Sequence, residues 1–151
     1  MKILFICTGN TCRSPMAEGI FKKILQDSKQ QRCMIEDIDC YSAGLATTEG
    51  LPVTENAVTV CKEIGVDISA HRSHIVTVQD TEMFDLLAVM TQTHASMLKT
   101  AGVSQAKIYV LGDQIPDPYG GNLEVYRTCR NKITMALKRL QETILENNKN
   151  D

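Results

Sequence analysis

The sequence predicts an α/β fold, a single-domain three-layer sandwich in which a four-stranded parallel sheet is flanked by helices on both faces. Short apolar segments of strand character alternate with longer segments whose apolar residues recur at helical spacing, and this alternation is typical of βαβ units. At 151 residues the chain has the size of one domain, so residues 1–151 are predicted to fold as a unit. Apolar residues make up 43% of the sequence, which is enough for one core without disulfides.

The first strand and the first helix have the strongest patterns. Residues 2–7 form a largely apolar run, as expected of a strand that is buried on both faces. Pro15 then favours the first turn of a helix, for which Ser14 is the predicted N-cap. Apolar residues at helical spacing follow, namely Ala17, Ile20, Phe21, Ile24 and Leu25.

The remaining elements continue the alternation. Further strands are predicted at 37–43, 84–90 and 107–111. Further helices are predicted at 54–64, 91–101 and 122–146. In a parallel sheet of this kind the functional crevice lies at the carboxyl ends of the strands. The segment that follows the first strand, Cys7–Ser14, is therefore predicted to lie in that crevice.

Composition and charge exclude several classes of function. The net charge is only −2, so no basic surface is available for nucleic acid or an anionic membrane. The apolar start, ILFI, is too short for a signal peptide, and no apolar run approaches the roughly 20 residues of a membrane span. We therefore expect a cytoplasmic protein without nucleic acid or membrane partners. A monomer is the expected oligomeric state, although no feature of the sequence determines it.

The six cysteines are scattered along the chain and include no CxxC pair. Without a secretory signal, reduced thiols are expected rather than disulfides, and no cysteine pair supports a zinc site. Core positions are predicted for Cys40, Cys61 and Cys129, and an exposed free thiol for Cys33.

The segment CTGNTCRS, Cys7–Ser14, has the composition of an anion-binding loop. Backbone N–H groups of residues 8–13 can converge on an oxyanion, toward which the first helix directs its positive end. Arg13 can donate two N–H groups to a phosphate, and the same field favours the thiolate of Cys7. The predicted phosphate-binding residues are Thr8, Gly9, Asn10, Thr11, Cys12 and Arg13. A tight turn around a buried structural cysteine is the alternative interpretation.

The segment CTGNTCRSPMAEG, residues 7–19, resembles the signature of the low-molecular-weight protein phosphatase family, whose members carry a Cys-x5-Arg-Ser loop at the extreme N-terminus. The resemblance covers nearly the whole chain. It continues in YSAG, a G-x-P turn, GVDISAHRS and DPYGG, at residues 41–44, 50–52, 65–73 and 117–121.

The resemblance implies a cysteine-dependent phosphoprotein phosphatase. Cys7 would be the nucleophile and form a cysteinyl-phosphate, and Arg13 would bind the phosphate. The residues that would brace the loop by hydrogen bonds are Asn10, Ser14, Ser42 and His71. For His71, a histidine with a purely structural place near a helix end is the open alternative.

A second catalytic group is needed because the leaving group must receive a proton. Asp117 follows the fourth strand and precedes the last helix, at the same end of the sheet as Cys7. The resemblance implies that Asp117 is the general acid, whereas an Asp-Pro pair alone indicates a surface turn. Asp113 is a nearby carboxylate in a setting typical of a strand-end turn. Arg13 and the backbone donors can balance the phosphate charge, so no metal or other cofactor is expected.

The residue before the second loop cysteine bears on the choice of substrate. Tyrosine-directed family members usually carry a bulky aliphatic residue there, whereas this chain has Thr11, and Thr-Cys-Arg-Ser resembles the protein arginine phosphatase branch. A short hydroxyl-bearing side chain leaves room for a polar phosphoguanidinium, while an aliphatic one packs on an aryl ring. Tyr119 is the obvious pocket aromatic. Phosphoarginine in proteins is the favoured substrate, and phosphotyrosine stacked on Tyr119 is the alternative.

Two other classes of protein share features of this loop. Thiol-dependent arsenate reductases need further cysteines on a mobile segment to relay a disulfide, and this chain has none between residues 62 and 128. Sugar-transport IIB domains use a loop cysteine as a phosphoryl carrier, but such a carrier needs no Arg paired with a distant general acid. Both remain as more distant alternatives to a phosphatase.

Cys12 lies five residues beyond Cys7, across a tight turn. A disulfide between the two sulfurs would protect an oxidised Cys7 from irreversible oxidation, a redox role that the family resemblance supports. Filling space in the loop is the alternative role for Cys12.

Overall fold

A computed structural model of the chain describes residues 1–31 and 37–150, so the exposed thiol predicted at Cys33 lies outside the described residues. One sheet contains four parallel strands in the order β2-β1-β3-β4. The strands are β1 Lys2–Cys7, β2 Asp39–Gly44, β3 Leu86–Val89 and β4 Ile108–Val110. The α-helices are α1 Arg13–Gln30, α2 Glu55–Lys62, α3 Val78–Met83, α4 Gln92–Thr100 and α5 Leu123–Lys149, with a short 3-10 helix at Gln105–Lys107.

Strand β1 lies inside the sheet, between β2 and β3. Its side chains alternate between two cores, because successive residues of a strand face opposite sides of a sheet. Ile3, Phe5 and Cys7 belong to the core that contains residues of α1, α2 and α5. Leu4 and Ile6 belong to the second core, on the side of α4. Helices thus cover both faces, which confirms the predicted three-layer α/β fold.

The start of α1 differs from the prediction. The helix begins at Arg13, and Cys12 occupies the N-cap position without a capping hydrogen bond from its side chain. Ser14, the predicted N-cap, lies inside the first turn, and its hydroxyl contacts the sulfur of Cys7 instead. The prediction of a Ser14 cap was wrong because this hydroxyl faces the preceding loop rather than the free N–H groups of its own helix.

Helix α3 was not predicted from the sequence. Its six residues include no buried side chain, so hydrophobic periodicity could not reveal it. The helix is instead stabilised at its N-terminus, where the hydroxyl of Thr77 accepts from the N–H of Asp80 and the Asp80 carboxylate accepts from the N–H of Thr77. A capping box is therefore the sequence signal that identifies this element.

Three cysteines occupy the core positions predicted for them. Cys40, Cys61 and Cys129 are each at most 3% exposed. Burial raises the pKa of each of these thiols to about 12, so they stay protonated and unreactive at neutral pH. Within the described residues, each helix is too short or too polar to cross a membrane.

Candidate active site

The loop between β1 and α1 lies at the carboxyl end of the sheet and lines a cavity of about 180 Å³. The lining residues are Cys7, Thr8, Gly9, Asn10, Thr11, Cys12, Arg13, Asp117 and Tyr119. The loop turns sharply at Asn10, whose φ of 55° lies in the left-handed region that asparagine tolerates better than most residues. All the predicted phosphate-binding residues therefore border one cavity, together with the predicted general acid.

Cys7 is the last residue of β1, and its side chain is almost fully buried beneath the loop. Two groups contact its sulfur. The hydroxyl oxygen of Ser14 lies 3.0 Å from Sγ, and the backbone N–H of Asn10 donates to Sγ at 3.3 Å. Donors directed at a sulfur stabilise negative charge on it, which is what a thiolate nucleophile requires.

The buried side chain of Asn10 ties the loop to three other segments. Its Nδ2 donates to the hydroxyl oxygens of Ser14 and Ser42, at 2.8 and 3.0 Å. Its Oδ1 accepts from the backbone N–H of His74 at 2.9 Å and lies 3.1 Å from His71 Nε2. An amide oxygen only accepts, so Nε2 of His71 carries the proton in this contact. Both ends of the Asn10 amide are thereby used, and the left-handed turn of the loop is held from several sides.

Glu18 extends this network, although it was not singled out from the sequence. The Ser42 hydroxyl donates to Glu18 Oε1 at 2.8 Å, and His71 Nδ1 lies 3.9 Å from the same oxygen. Burial lowers the pKa of His71, and the neighbouring Glu18 carboxylate opposes this shift. Glu18 follows Ser14 by one helical turn on α1, so helical spacing is the signal that could have placed it beside the loop.

Arg13 and Asp117 approach each other in the wall of the cavity. The guanidinium of Arg13 is buried, and its Nη1 donates to the carbonyl oxygen of Ile115 at 3.0 Å. Its Nη2 lies 3.8 Å from Asp117 Oδ2. The Asp117 carboxylate also accepts from the backbone N–H of Tyr119 at 3.1 Å. The segment after β4 is thus fixed to the loop, with the Asp117 carboxylate beside the Arg13 guanidinium.

Thr11 and Tyr119, the predicted substrate-contacting residues, both border the cavity. Tyr119 is the one aromatic residue among the described residues that line it, and 74% of Tyr119 is exposed, so its ring lies open to solvent at the rim. The hydroxyl of Thr11 lies 4.0 Å from Cys12 Sγ. Apart from Tyr119, the residues that line the cavity thus carry small or polar side chains.

The second loop cysteine, Cys12, is also buried and makes two polar contacts. Its Sγ lies 3.3 Å from the hydroxyl of Thr54, which precedes α2, and 3.4 Å from the hydroxyl of Tyr126 on α5. Burial, reinforced by the contact with Cys12, raises the pKa of Tyr126 to about 12, so its hydroxyl remains a donor. No local pattern pointed to Thr54 or Tyr126, because they lie 42 and 114 residues from Cys12.

His94 is a further residue beside the loop that was not singled out from the sequence. It lies in the first turn of α4, close behind β3, and only 4% of it is exposed. Its Nε2 lies 2.9 Å from the hydroxyl oxygen of Thr8. Burial, assisted by the positive charge of Arg13, lowers the pKa of His94 to about 4, so the ring is neutral at neutral pH. Its place after a parallel strand, at the functional edge of the sheet, is the signal that could have revealed it.

The fold and the cysteine loop define the class of this protein as a small α/β phosphatase. The family model described as low molecular weight phosphotyrosine protein phosphatase matches residues 2–150, and the chain belongs to that family. It is accordingly a hydrolase of phosphorylated proteins.

Similar proteins carry three different descriptions. A protein-arginine-phosphatase of Geobacillus stearothermophilus is 34% identical over 152 residues, which cover 95% of each chain. A crystal structure of a low molecular weight protein tyrosine phosphatase from T. tengcongensis has a TM-score of 0.83 and 38% identity, covering 95% of this chain and 99% of that chain. An arsenate reductase of Halalkalibacterium halodurans is 33% identical over 144 residues, covering 93% of this chain and 95% of the relative. Overall identity therefore does not select the substrate, which depends on individual residues of the pocket.

Proposed function

We propose that this protein is a protein arginine phosphatase that acts through a cysteinyl-phosphate. The observation that carries the substrate assignment is the wall of the cavity, which includes the hydroxyl-bearing residue Thr11 and whose aromatic lining residue, Tyr119, is largely exposed. A phosphoguanidinium is polar and rich in N–H donors, so it is stabilised by such a wall. An aryl ring is stabilised most by apolar surface that encloses it.

In the proposed mechanism, the Cys7 thiolate attacks phosphorus and the bond from phosphorus to the leaving group breaks. Arg13 and the backbone N–H groups of the loop bind the phosphoryl oxygens, where charge accumulates in the transition state. Asp117 gives its proton to the departing nitrogen of the guanidine. The resulting Asp117 carboxylate then removes a proton from water, whose oxygen attacks phosphorus and releases inorganic phosphate and the Cys7 thiolate.

The network around Asn10 supports the nucleophile in this proposal. Ser14 and the Asn10 N–H both reach the sulfur, so they can stabilise the thiolate before attack and when it leaves phosphorus again. Ser42, His71 and Glu18 lie behind these groups and act by holding the Asn10 and Ser14 side chains in place. They are positioning residues in this scheme.

Substitution of Thr11 by isoleucine tests the substrate assignment. We expect the wild-type protein to hydrolyse a phosphoarginine peptide with a higher kcat/KM than a phosphotyrosine peptide of the same sequence. We expect Thr11→Ile to shift the ratio of these kcat/KM values toward phosphotyrosine by roughly tenfold, because the variant adds apolar surface for an aryl ring and removes a polar group. A wild-type preference for phosphotyrosine, or an unchanged ratio in Thr11→Ile, contradicts the assignment.

Substitution of Cys7 by serine tests the mechanism separately from the substrate. A serine hydroxyl is a far weaker nucleophile at neutral pH than a thiolate, so turnover of para-nitrophenyl phosphate should fall to background. Binding of inorganic phosphate, measured by calorimetry, should persist because Arg13 and the loop backbone remain. Retained turnover in Cys7→Ser removes Cys7 from the role of nucleophile.

Arsenate reduction is the activity, other than phosphatase activity, that the names of similar proteins give. That chemistry passes a disulfide to further cysteines, and this chain has none between residues 62 and 128. The phosphatase proposal also favours the cytoplasm as the site of action, because a free thiol nucleophile persists in a reducing compartment. Sedimentation of the purified protein tests the accompanying proposal that it is a monomer.

A further inference from the structure

Thr8 follows the proposed nucleophile directly, is exposed, and is one of the residues that form the wall of the cavity. The wall position matters because groups on the wall face the part of a substrate that lies beyond its phosphoryl group. The hydroxyl oxygen of Thr8 is held from behind by Nε2 of His94, at 2.9 Å. Thr8 and His94 thus form a polar pair on the entrance side of the loop.

The histidine of this pair is buried at an energetic cost. Its second ring nitrogen, Nδ1, is buried and has no hydrogen-bond partner among the residues that the structure describes. Leaving a buried polar atom unpaired is unfavourable, and an apolar side chain would fill the same space without that cost. The contact with Thr8 is therefore the one polar interaction of the His94 ring within the described parts of the chain.

The protonation state of His94 follows from the same observation. A buried N–H without a partner is rarer than a buried acceptor without one, so the single ring proton belongs on Nε2. Nε2 then donates to the Thr8 oxygen and fixes its direction. The ring is neutral, because burial and the nearby Arg13 disfavour a second proton. Thr8 retains one lone pair that can face the cavity.

We propose that Thr8 is a specificity-determining residue whose hydroxyl oxygen accepts a hydrogen bond from a guanidinium N–H of phosphoarginine, and that His94 is the positioning residue that orients this hydroxyl. The proposal rests on the arginine phosphatase function proposed above, because a phosphorylated guanidine carries N–H donors where a phosphotyrosine ring has none. A pocket that provides a polar group for a substrate N–H also disfavours a substrate that leaves this group unpaired.

The first test replaces Thr8 with valine, which has nearly the same shape and lacks the hydroxyl. The quantity measured is the ratio of kcat/KM for a phosphoarginine peptide to kcat/KM for a phosphotyrosine peptide of the same sequence. We expect this ratio to fall roughly tenfold in Thr8→Val and to stay near the wild-type value in Thr8→Ser, which keeps the hydroxyl. Thr93→Val makes the same change on the exposed face of α4, beside His94, and is the matched control.

The second test asks whether His94 acts through Thr8. His94→Phe removes the donor and keeps a ring, and should lower the same ratio by a similar factor. In the Thr8→Val background, His94→Phe should lower the ratio no further, because the hydroxyl that it would orient is absent. His94→Gln, which restores an N–H donor, should recover part of the ratio, and it serves as the probe if the phenylalanine variant does not fold. Thermal unfolding of each variant identifies any variant that is merely destabilised.

The outcomes separate this inference from the function on which it rests. A wild-type preference for phosphotyrosine overturns the arginine phosphatase proposal; the role of Thr8 still stands if Thr8→Val selectively weakens the remaining phosphoarginine hydrolysis. Equal losses on both peptides in Thr8→Val overturn the role of Thr8, because the hydroxyl would then serve the shared phosphoryl group or the loop. A further loss from His94→Phe in the Thr8→Val background overturns the role of His94.

Discussion

The Nη2 atom of Arg13 lies 3.8 Å from Oδ2 of Asp117, so the proposed phosphate clamp and the proposed general acid are neighbours in the cavity wall. The two partners differ in environment, since the Arg13 side chain is 5% exposed and the Asp117 side chain 53%. A pair that is open to solvent at one end contributes little to stability. The pair instead helps to position Asp117, because Arg13 also donates to the carbonyl oxygen of Ile115 and so fixes the segment that carries Asp117.

Asp117→Asn should lower kcat by roughly 100-fold or more on substrates with a poor leaving group, because the amide cannot supply the proton that the leaving group needs. The loss should be much smaller on para-nitrophenyl phosphate, whose leaving group departs without help. Steady-state kinetics on both substrates measure the difference. Asp113→Asn alters the neighbouring exposed carboxylate and should leave both rates unchanged. Equal losses on the two substrates would argue against a general acid at Asp117.

Asn10→Ala should destabilise the protein by about 3 kcal/mol, because its amide connects the loop to Ser14, Ser42, His71 and His74. Alanine is also strained at the φ of 55° that this position adopts. Asn10→Gly removes the same hydrogen bonds without that strain, so it should be less destabilised by about 1 kcal/mol. Urea unfolding gives both values. If the two variants were equally stable, the backbone conformation at Asn10 would carry no cost.

Cys12→Ser should impair recovery from peroxide. In the wild-type protein, peroxide oxidises the Cys7 thiolate to a sulfenic acid, and the Cys12 thiol then displaces water to form a disulfide that dithiothreitol reduces. The serine variant lacks the second thiol, so Cys7 should oxidise further and activity should return only in part. Cys61→Ser removes a buried core thiol and is the control. Equal recovery in all three proteins would leave Cys12 with the packing role that its contacts with Thr54 and Tyr126 already give it.

His74→Gln should reduce stability more at low pH than at high pH. The Nε2 and Nδ1 atoms of His74 lie 2.9 Å from Asp80 Oδ2 and 3.1 Å from Glu49 Oε1. Partial burial opposes charge on the ring, but the hydrogen bonds and charges of Asp80 and Glu49 outweigh burial and raise its pKa. The stabilisation that protonated His74 provides is therefore complete below the ordinary histidine pKa of 6.5. It is lost as pH rises through the raised pKa of His74 in the folded state.

Urea unfolding of the wild type and of His74→Gln between roughly pH 5 and pH 9, an interval that brackets the ordinary histidine pKa, measures this dependence. His71 is present in both proteins, so its own titration cancels in the difference between their stabilities. A difference in stability that grows with pH would contradict the proposed ion pairs of His74.

The strands and the long helices were predictable because the regular spacing of their buried apolar residues identifies them from the local sequence. Strand β1 was predicted at 2–7 and observed at Lys2–Cys7, and the last helix was predicted at 122–146 and observed at Leu123–Lys149. Helix α3 was not found, because all its side chains are at least partly exposed and only its capping box distinguishes it. The prediction of helices and strands failed where an element has no buried side chains, because its sequence then shows no apolar periodicity.

The loop residues were predictable as a cluster because they are contiguous in sequence, from Cys7 to Ser14. The residues that support them from other segments were less accessible. Ser42 and His71 were placed beside the loop only through the family resemblance, and Glu18 and His94 were missed although their spacing and position in the sequence offered weak signals. Such contacts depend on which turn of a helix meets the loop, and that is decided by packing of the whole chain rather than by any local pattern.

The central position of β1 has a consequence for biosynthesis. The ribosome makes this strand before the other three strands of the sheet, and its two neighbours end only at Gly44 and Val89. The loop that follows β1 also contacts Tyr126, close to the start of the last helix. Because a chain is synthesised from its N-terminus, Cys12 can make this contact only after Tyr126 has been synthesised. The buried side of this loop is therefore completed only by a residue of the last helix.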